Sequence, residues 1–369
     1  MAVILKSLHV DCYRGISDLD LEEFNHVNIL VGDNNTGKTS VMEMIYALRT
    51  PLSVNMWNEI AKKKSYNTRG VIWYNAYRNI FPIDREMQIQ FAGDFTEFGE
   101  LAICMRAEES KTVITERELN RINGLIRTGN QNVEEVYIDT NMMEIRIQAD
   151  SDSVELDVYD FQRKPPRENS INRVENNKKT KFRENTVFLE PRDGLANDFL
   201  YLKQVILDTE FHEQLIEILK EFDPAITDIF SIEEMGSTVY YVRTNEHSSA
   251  IPISVYGDGL KKSLVLFAAL TSSKDGVMLV DEVETSIHTS AMSMVFSTLI
   301  RWARKLNIQL FVSTHSKEAL DTLLTCDNEY SDGINVYTLF HTNQKNYVRK
   351  LSCTKALDLQ NKMGMELRQ

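Results

Sequence analysis

The stretch GDNNTGKTS, which begins at Gly32, contains residues whose types and spacing suit the binding of phosphate groups. Gly37, Lys38 and Thr39 complete the spacing G-x-x-x-x-G-K-[ST], and the apolar run VNILV stands directly before it. A glycine-rich turn between a strand and a helix lets backbone N–H groups converge on phosphate oxygens, and the helix N-terminus adds a favourable dipole. We therefore predict a nucleotide-binding phosphate loop at this position.

Two side chains of the loop have predicted chemical roles. Lys38 is expected to reach the β- and γ-phosphates of ATP, and Thr39 is expected to ligand Mg²⁺. A chance turn that only caps a helix would not explain both residues at their required offsets. The other loop residues predicted to bind the nucleotide are Asn34, Asn35, Thr36 and Ser40.

A pair of acids follows a short apolar run much later in the chain, in VMLVDEVETSIH, residues 277–288. The pattern predicts a buried parallel strand with Asp281 and Glu282 at its carboxyl end, where such sheets bind ligands. Given a phosphate loop, Asp281 is predicted to hold Mg²⁺ with Thr39, and Glu282 to orient or deprotonate the attacking water. Without that loop, an exposed acidic strand end would explain the pattern as well.

A third polar cluster, Thr314, His315 and Ser316, follows the apolar strand pattern QLFVS. A histidine at the end of such a strand can contact the γ-phosphate of a bound nucleotide. A lone histidine would more often be structural, but this is the third polar cluster at a predicted strand end. We therefore predict that His315 is catalytic.

The elements between these clusters predict how the chain is organised. Residues 1–50 and 250–369 are predicted to form the nucleotide-binding core of a single domain, ending in two strands and a helix. Residues 51–185 read as an inserted region of short alternating β segments with a flexible basic loop at 163–185. Residues 186–249 read as a lobe of two helices and a hairpin whose turn is NEHSS.

Composition restricts the functions available. A net charge of −13 and a pI near 5.1 disfavour a protein that is basic over its whole surface, although the 163–185 loop keeps contact with DNA or an acidic partner open. No apolar run approaches the roughly 20 residues that span a bilayer, so no membrane contact and a cytoplasmic location are expected. The four cysteines are widely separated and indicate neither a disulfide framework nor a zinc site.

Taken together, these motifs resemble the ATP-binding-cassette (ABC) ATPases of the RecF, SMC and OLD-like branch. Tyr13-Arg14-Gly15 is similar to the aromatic-Arg-Gly signature that precedes the phosphate loop there, VDEVE to its acidic strand end, and STHS to its switch histidine. The resemblance covers residues 1–50 and about 200–325. It implies an α/β, ABC-type P-loop ATPase with a mixed central sheet, an antiparallel β-subdomain and a helical lobe, and it implies that Arg14 contacts the nucleotide.

The same resemblance implies a homo-oligomer. In such ATPases the signature loop of one subunit completes the ATP site of another, so hydrolysis requires a dimer or a higher assembly. Gly257, Gly259 and Lys261 occupy the signature region here, although the usual Leu-Ser is missing. His288 stands where many transporters of the family have an aspartate, which argues against a transporter subunit.

OLD nucleases carry a Toprim domain after the ATPase, whereas about 50 residues follow STHS in this sequence. Those residues show no D-x-D pair of metal-binding acids, so we expect the chain to cut no nucleic acid by itself. By analogy with bacterial anti-phage systems, the effector would be a separately encoded nuclease or toxin.

Three functions are compatible with these residues. The first is an ATPase that assembles around ATP and gates or scaffolds a separate effector in anti-phage defence. The second is a RecF-like ATP-dependent DNA clamp, which the acidic composition disfavours and the basic loop favours. The third is a scaffold in which ATP is a structural ligand, which the predicted role of Glu282 disfavours.

Overall fold

The computed structural model describes most of the chain, and the described residues form eleven segments. They are residues 3–65, 70–83, 86–124, 136–172, 185–191, 195–234, 237–285, 287–326, 328–342, 345–363 and 366–367.

Within these segments there are sixteen strands. In chain order they are β1 (Leu5–Tyr13), β2 (Ile16–Leu21), β3 (Val27–Val31), β4 (Gln88–Phe95), β5 (Gly99–Thr115), β6 (Tyr137–Ala149), β7 (Asp152–Tyr159), β8 (Ser170–Asn172), β9 (Thr186–Leu189), β10 (Ile226–Glu234), β11 (Ser237–Thr244), β12 (Ile251–Pro252), β13 (Val277–Val280), β14 (Gln309–Thr314), β15 (Ile334–Thr342) and β16 (Lys345–Ser352).

The same segments contain ten α-helices and two short 3₁₀ helices, Ile253–Val255 and Asn328–Gly333. The α-helices are α1 (Lys38–Ala47), α2 (Val54–Lys62), α3 (Trp73–Arg78), α4 (Glu116–Ile122), α5 (Leu195–Leu207), α6 (Thr209–Lys220), α7 (Asp258–Ser272), α8 (Thr289–Lys305), α9 (Lys317–Thr325) and α10 (Cys353–Met363).

The chain divides into two compact units, each made of separate segments. The first unit comprises Met1–Lys6, Leu21–Met42 and Lys179–Gln369, and the second comprises Ser7–Asp20 and Glu43–Lys178. The predicted domain boundaries stay a prediction.

A six-stranded mixed sheet in the order β16-β15-β3-β14-β13-β9 forms the centre of the first unit. β15, β3, β14, β13 and β9 run parallel to one another, and β16 pairs with β15 in the antiparallel direction. The strands VNILV and VMLV are buried along their whole length, as expected for a parallel sheet covered on both faces. Because parallel strands end at the same edge, the segments that follow β3, β13 and β14 emerge together.

A smaller antiparallel sheet, β10-β11-β12, and the helix pair α5 and α6 also belong to the first unit. Apolar residues of α6, β10, β11 and α7 join the same hydrophobic core as the central sheet. The two predicted helices and the hairpin that leads to residue 252 are confirmed, whereas β10 was not predicted.

The second unit is built on a seven-stranded sheet in the order β2-β1-β4-β5-β6-β7-β8, in which successive strands from β4 to β8 are antiparallel. Burial alternates along β4, with every second residue in the core, which is the pattern of a sheet with one covered face. The β-rich region predicted before residue 160 is confirmed, but α2, α3 and the hairpin partner β2 were not predicted.

The predicted α/β class with a mixed central sheet, an antiparallel β-subdomain and a helical lobe is confirmed. Of the predicted basic loop, residues 173–184 lie outside the described residues. In the described part of the chain, no helix is both long and apolar enough to cross a membrane.

Candidate nucleotide-binding site

The predicted phosphate loop connects β3 to α1 and contains three positions in the left-handed region of the backbone. These positions are Gly32 at φ +144°, Asn35 at φ +66° and Gly37 at φ +100°. A Cβ on Gly32 would lie 2.5 Å from the Leu339 carbonyl oxygen, so both conformation and space require glycine there. The loop backbone is thereby curled directly before the first turn of α1, in a geometry suited to anion binding.

Lys38 is the first residue of α1, and its side chain is folded over this loop. Its Nζ donates hydrogen bonds of 2.8 Å to the Gly32 and Asp33 carbonyl oxygens, and the residue is only 8% exposed. Burial lowers the pKa of Lys38, while the nearby charges of Asp281 and Glu282 act in the opposite direction. The ammonium group therefore lies at the loop and within electrostatic reach of the acids that follow β13.

Asp281 follows β13 and joins the acids to the phosphate loop. Its Oδ2 accepts a hydrogen bond of 2.7 Å from Thr39 Oγ1, and its Oδ1 accepts one from the Ser313 hydroxyl. A threonine hydroxyl beside a carboxylate provides hard oxygen ligands, and Mg²⁺ in such sites takes one or two protein carboxylates together with phosphate oxygens. The residues present fit Mg²⁺, although the described residues contain no cluster of three His, Cys, Asp or Glu side chains that could hold a metal.

Glu282 occupies a strained backbone position next to Asp281. Its φ is +48°, a conformation that costs a non-glycine residue roughly 1–3 kcal/mol. The strain is offset by Ser313, whose hydroxyl accepts a hydrogen bond of 2.9 Å from the Glu282 N–H and whose carbonyl accepts one of 3.1 Å from Val283. Ser313 was not predicted as a site residue, yet it contacts three consecutive residues of the acidic loop.

His315 lies directly after β14, and its contacts are made with another residue that was not predicted. Its Nδ1 is 3.3 Å from Glu284 Oε1, and the same oxygen accepts hydrogen bonds from the N–H groups of His315 and Ser316. The polar turn after β14 is thus held against the loop after β13.

The signature-region residues lie at the start of α7. Gly257 is the N-cap and Gly259 lies in the first turn, and both are exposed. Neither adopts the left-handed conformation, and a Cβ at either position would meet no heavy atom within 4 Å. Lys261 is half-buried. Nothing among the described residues requires glycine at these two positions.

Two further residues singled out by the sequence have structural contacts. Arg14, at φ +52°, belongs to the second unit, where its Nη1 is 3.6 Å from Glu43 Oε2. His288 is the N-cap of α8, and its Nδ1 accepts a hydrogen bond of 3.3 Å from the Ser290 N–H. The nucleotide contact of Arg14 stays a prediction, and His288 has a sufficient structural role.

In the first unit, direct contacts join the phosphate loop, the acidic loop and the turn after β14. Lys38, Thr39, Asp281, Glu282 and His315 lie on the segments so joined. The roles of Asn34, Asn35, Thr36 and Ser40 in binding stay predictions, as do those of the signature-region glycines and Lys261. Thr36 closes the phosphate loop, because its Oγ1 donates a hydrogen bond of 2.9 Å to the Asp33 carbonyl oxygen.

Comparisons with known proteins identify one relative along most of the chain. An ATP/GTP phosphatase of Helicobacter pylori is 22% identical over 346 residues, which cover 87% of this chain and 87% of that protein.

Solved structures of similar extent are more distant. An SMC head bound to the C-terminal winged-helix domain of ScpA is 12% identical, with a TM-score of 0.47, and covers 96% of this chain and 100% of its own. The recombination mediator RecF is 13% identical, with a TM-score of 0.43, and covers 94% of this chain and 98% of its own.

A family model described as "AAA domain, putative AbiEii toxin, Type IV TA system" matches residues 107–321, more than half of the chain. The matched residues include the acidic loop after β13 and His315, and the phosphate loop lies before them. The chain belongs to this AAA-domain family and is an ATPase.

Proposed function

We propose that this ATPase assembles around ATP into a dimer or a larger homo-oligomer, and that the assembly gates or scaffolds a separately encoded effector in anti-phage defence. The effector would be a nuclease or a toxin. The observation that carries the proposal is the hydrogen bond between Thr39 and Asp281, which joins a phosphate loop to an acidic strand end. The chain belongs to a family whose description names a putative toxin of a type IV toxin–antitoxin system.

The proposed hydrolysis distributes its tasks over the joined segments. Lys38 and the loop N–H groups bind the β- and γ-phosphates, and Thr39 and Asp281 would hold Mg²⁺, which neutralises phosphate charge when bound. Glu282 orients the attacking water and accepts its proton, while His315 contacts the γ-phosphate. The hydrogen bonds of Ser313 keep Asp281 and Glu282 in their relative positions during this reaction.

The proposed assembly explains the exposed glycines at the start of α7. In the proposal, Gly257, Gly259 and Lys261 of one subunit complete the ATP site of a neighbouring subunit. Glycines without side-chain neighbours leave the N–H groups at this helix end accessible to a γ-phosphate. The similarity to an ATP/GTP phosphatase of H. pylori supports hydrolysis of nucleoside triphosphates and makes GTP a second substrate to test.

A defence assay tests the cellular part of the proposal. The gene would be expressed together with its neighbouring genes in a bacterial host, and the plating of a panel of phages would be compared for wild type, Lys38→Ala and Glu282→Gln. We expect protection, or toxicity of the neighbouring gene product, to depend on both residues. Effects that are identical in all three strains would contradict the proposal.

A DNA clamp remains the second candidate because of the basic stretch that starts at residue 163. Its described part carries Arg163, Lys164 and Arg167 against one acid, Glu168. The discriminating measurement is binding of the purified protein to duplex DNA, with and without ATP, at two salt concentrations. ATP-dependent, salt-sensitive binding would favour the clamp over effector gating.

A further inference from the structure

A single carboxylate oxygen, Oε1 of Glu284, fixes the turn that carries His315. It accepts hydrogen bonds of 3.2 Å from the His315 N–H and 3.1 Å from the Ser316 N–H. The same oxygen lies 3.3 Å from Nδ1 of the His315 ring, and the Glu284 side chain is only 9% exposed. The backbone N–H and the ring of His315 therefore both lie against one carboxylate oxygen of the neighbouring loop.

Helix capping alone does not account for this arrangement. α9 begins after Ser316, whose own hydroxyl already caps the helix by accepting a hydrogen bond of 3.2 Å from the Ala319 N–H. The second carboxylate oxygen of Glu284 is buried without a hydrogen-bond partner among the described residues, which is unfavourable for stability. The charge of Glu284 also acts on the pKa of Lys38, so the carboxylate lies within electrostatic reach of the phosphate loop.

We propose that Glu284 is a positioning residue that acts on ATP hydrolysis through His315. Nδ1 of the His315 ring is the nitrogen that lies 3.3 Å from Glu284 Oε1, which leaves Nε2 as the nitrogen available to the γ-phosphate. Glu284 thus sets the orientation of the ring with which His315 meets the nucleotide. This role rests on the proposed function of His315.

The first test reads the state of the ring without any ATP turnover. ¹⁵N NMR of histidine-labelled protein, with His315 assigned by its loss in His315→Gln, would be recorded for wild type and Glu284→Gln. The glutamine keeps an acceptor for the two N–H groups but removes the charge, so the protein should fold while the His315 ring nitrogens shift. Unchanged ring nitrogens would overturn the proposal.

A matched control is available on α9, the helix that begins beside Glu284. Glu318 lies in the first turn of α9 and is exposed, so Glu318→Gln removes the same charge from the same helix end without touching His315. This variant should leave the ring nitrogens of His315 and the ATPase rate as in wild type. Equal effects of Glu318→Gln and Glu284→Gln would mean that general electrostatics of the helix end is responsible, which would overturn the proposal.

The second test measures turnover in a double-mutant cycle. Glu284→Gln should lower kcat by about 10- to 100-fold, the usual cost of removing a residue that orients a functional group, with little change in ATP affinity. In the His315→Ala background the same substitution should cause no further loss, because the ring through which Glu284 is proposed to act is gone. Additive losses would show that Glu284 acts independently of His315. Glu284→Asp, which retains the charge, should recover part of the kcat that Glu284→Gln loses.

The outcomes separate this inference from the proposed function. Absence of ATP hydrolysis by the wild-type assembly, or ATP binding that is indifferent to Lys38→Ala, would defeat the proposed function. The NMR comparison would still decide whether Glu284 controls the His315 ring. Normal turnover in His315→Ala together with wild-type hydrolysis would defeat the inference alone.

Discussion

The carboxyl edge of the central sheet and the start of α7 are both predicted parts of an ATP site, but they are built in opposite ways. At the sheet edge, Lys38 and Asp281 are buried, and hydrogen bonds of Asp281 and Ser313 join the loops after β3, β13 and β14 within the same unit. At the start of α7, Gly257 and Gly259 are exposed and would tolerate a side chain sterically. The difference indicates that the first region is preorganised within one chain, whereas the role proposed for the second depends on a neighbouring subunit.

The largest expected effect lies at the preorganised edge. Lys38→Ala should abolish measurable ATP binding, because Lys38 supplies the ammonium group that the loop places against the β- and γ-phosphates. Isothermal calorimetry with Mg-ATP measures this directly. Lys262→Ala, which changes a half-buried lysine of α7, serves as a control for the loss of one positive charge. Wild-type affinity for Mg-ATP in Lys38→Ala would contradict nucleotide binding by the phosphate loop.

Glu282→Gln should separate binding from hydrolysis. We expect turnover to fall by at least ~100-fold, because the amide cannot accept the proton of the attacking water. ATP binding should persist, since Asp281 and Thr39 are unchanged, and the ATP-bound assembly should accumulate on size-exclusion chromatography. A variant that hydrolyses ATP at the wild-type rate would exclude Glu282 as the catalytic carboxylate.

Ser313→Ala probes how the edge is preorganised. The variant removes the hydroxyl that holds Asp281 and the strained Glu282 backbone, so we expect kcat to fall by about tenfold or more. Ser313→Thr, which keeps the hydroxyl on a slightly larger side chain, is the matched control. If both variants lose activity equally, packing at this fully buried position matters and the hydroxyl does not.

The smallest of these effects is expected at the start of α7, and it tests whether a second subunit contributes. Lys261→Glu should weaken ATP-dependent assembly, because it places a negative charge where a γ-phosphate is predicted. Mixing Lys261→Glu with Lys38→Ala should restore part of the activity, since one of the two composite sites would carry neither change.

The mixing experiment can also contradict the proposal that a second subunit completes the ATP site. Subunit exchange would be verified with differently tagged proteins before turnover is measured. A mixture that exchanges and stays inactive would mean either that each site is formed within one chain or that two intact sites must act together. A concentration-dependent rate of the wild type would then favour the second explanation.

Sequence patterns predicted the parts of this molecule in which local composition dictates structure. VMLV and VNILV were recognised as buried strands because four or five consecutive residues are largely apolar, and parallel topology then places their carboxyl ends together. β10 was missed because its second half is exposed, so its apolar residues show no complete alternation. α2 was missed although Ser53 is an N-cap and most of the buried face is apolar.

Ser313 and Glu284 show why the site could be predicted only in part. Serine is an unremarkable residue in a strand, and its importance follows from the register that pairs Val280 with Val312 and so brings Asp281 beside it. In the sequence VDEVET, Glu284 has the character of a surface acid. Its role becomes visible only in the fold, where the N–H groups of residues 315 and 316 donate hydrogen bonds to it. Both roles depend on which strands become neighbours, and that is decided by the whole fold.

The central position of β3 has a consequence for biosynthesis. β3 lies between β14 and β15, and the residues that pair with Val27, Leu310 and Ile334, are made 283 and 307 residues later. The contact of Thr39 with Asp281 spans 242 residues. A chain emerging from the ribosome must carry this apolar strand unpaired through most of translation, a situation that favours slow folding and engagement by chaperones. ATP hydrolysis is thereby withheld from the nascent chain until the late strands have closed the sheet around β3.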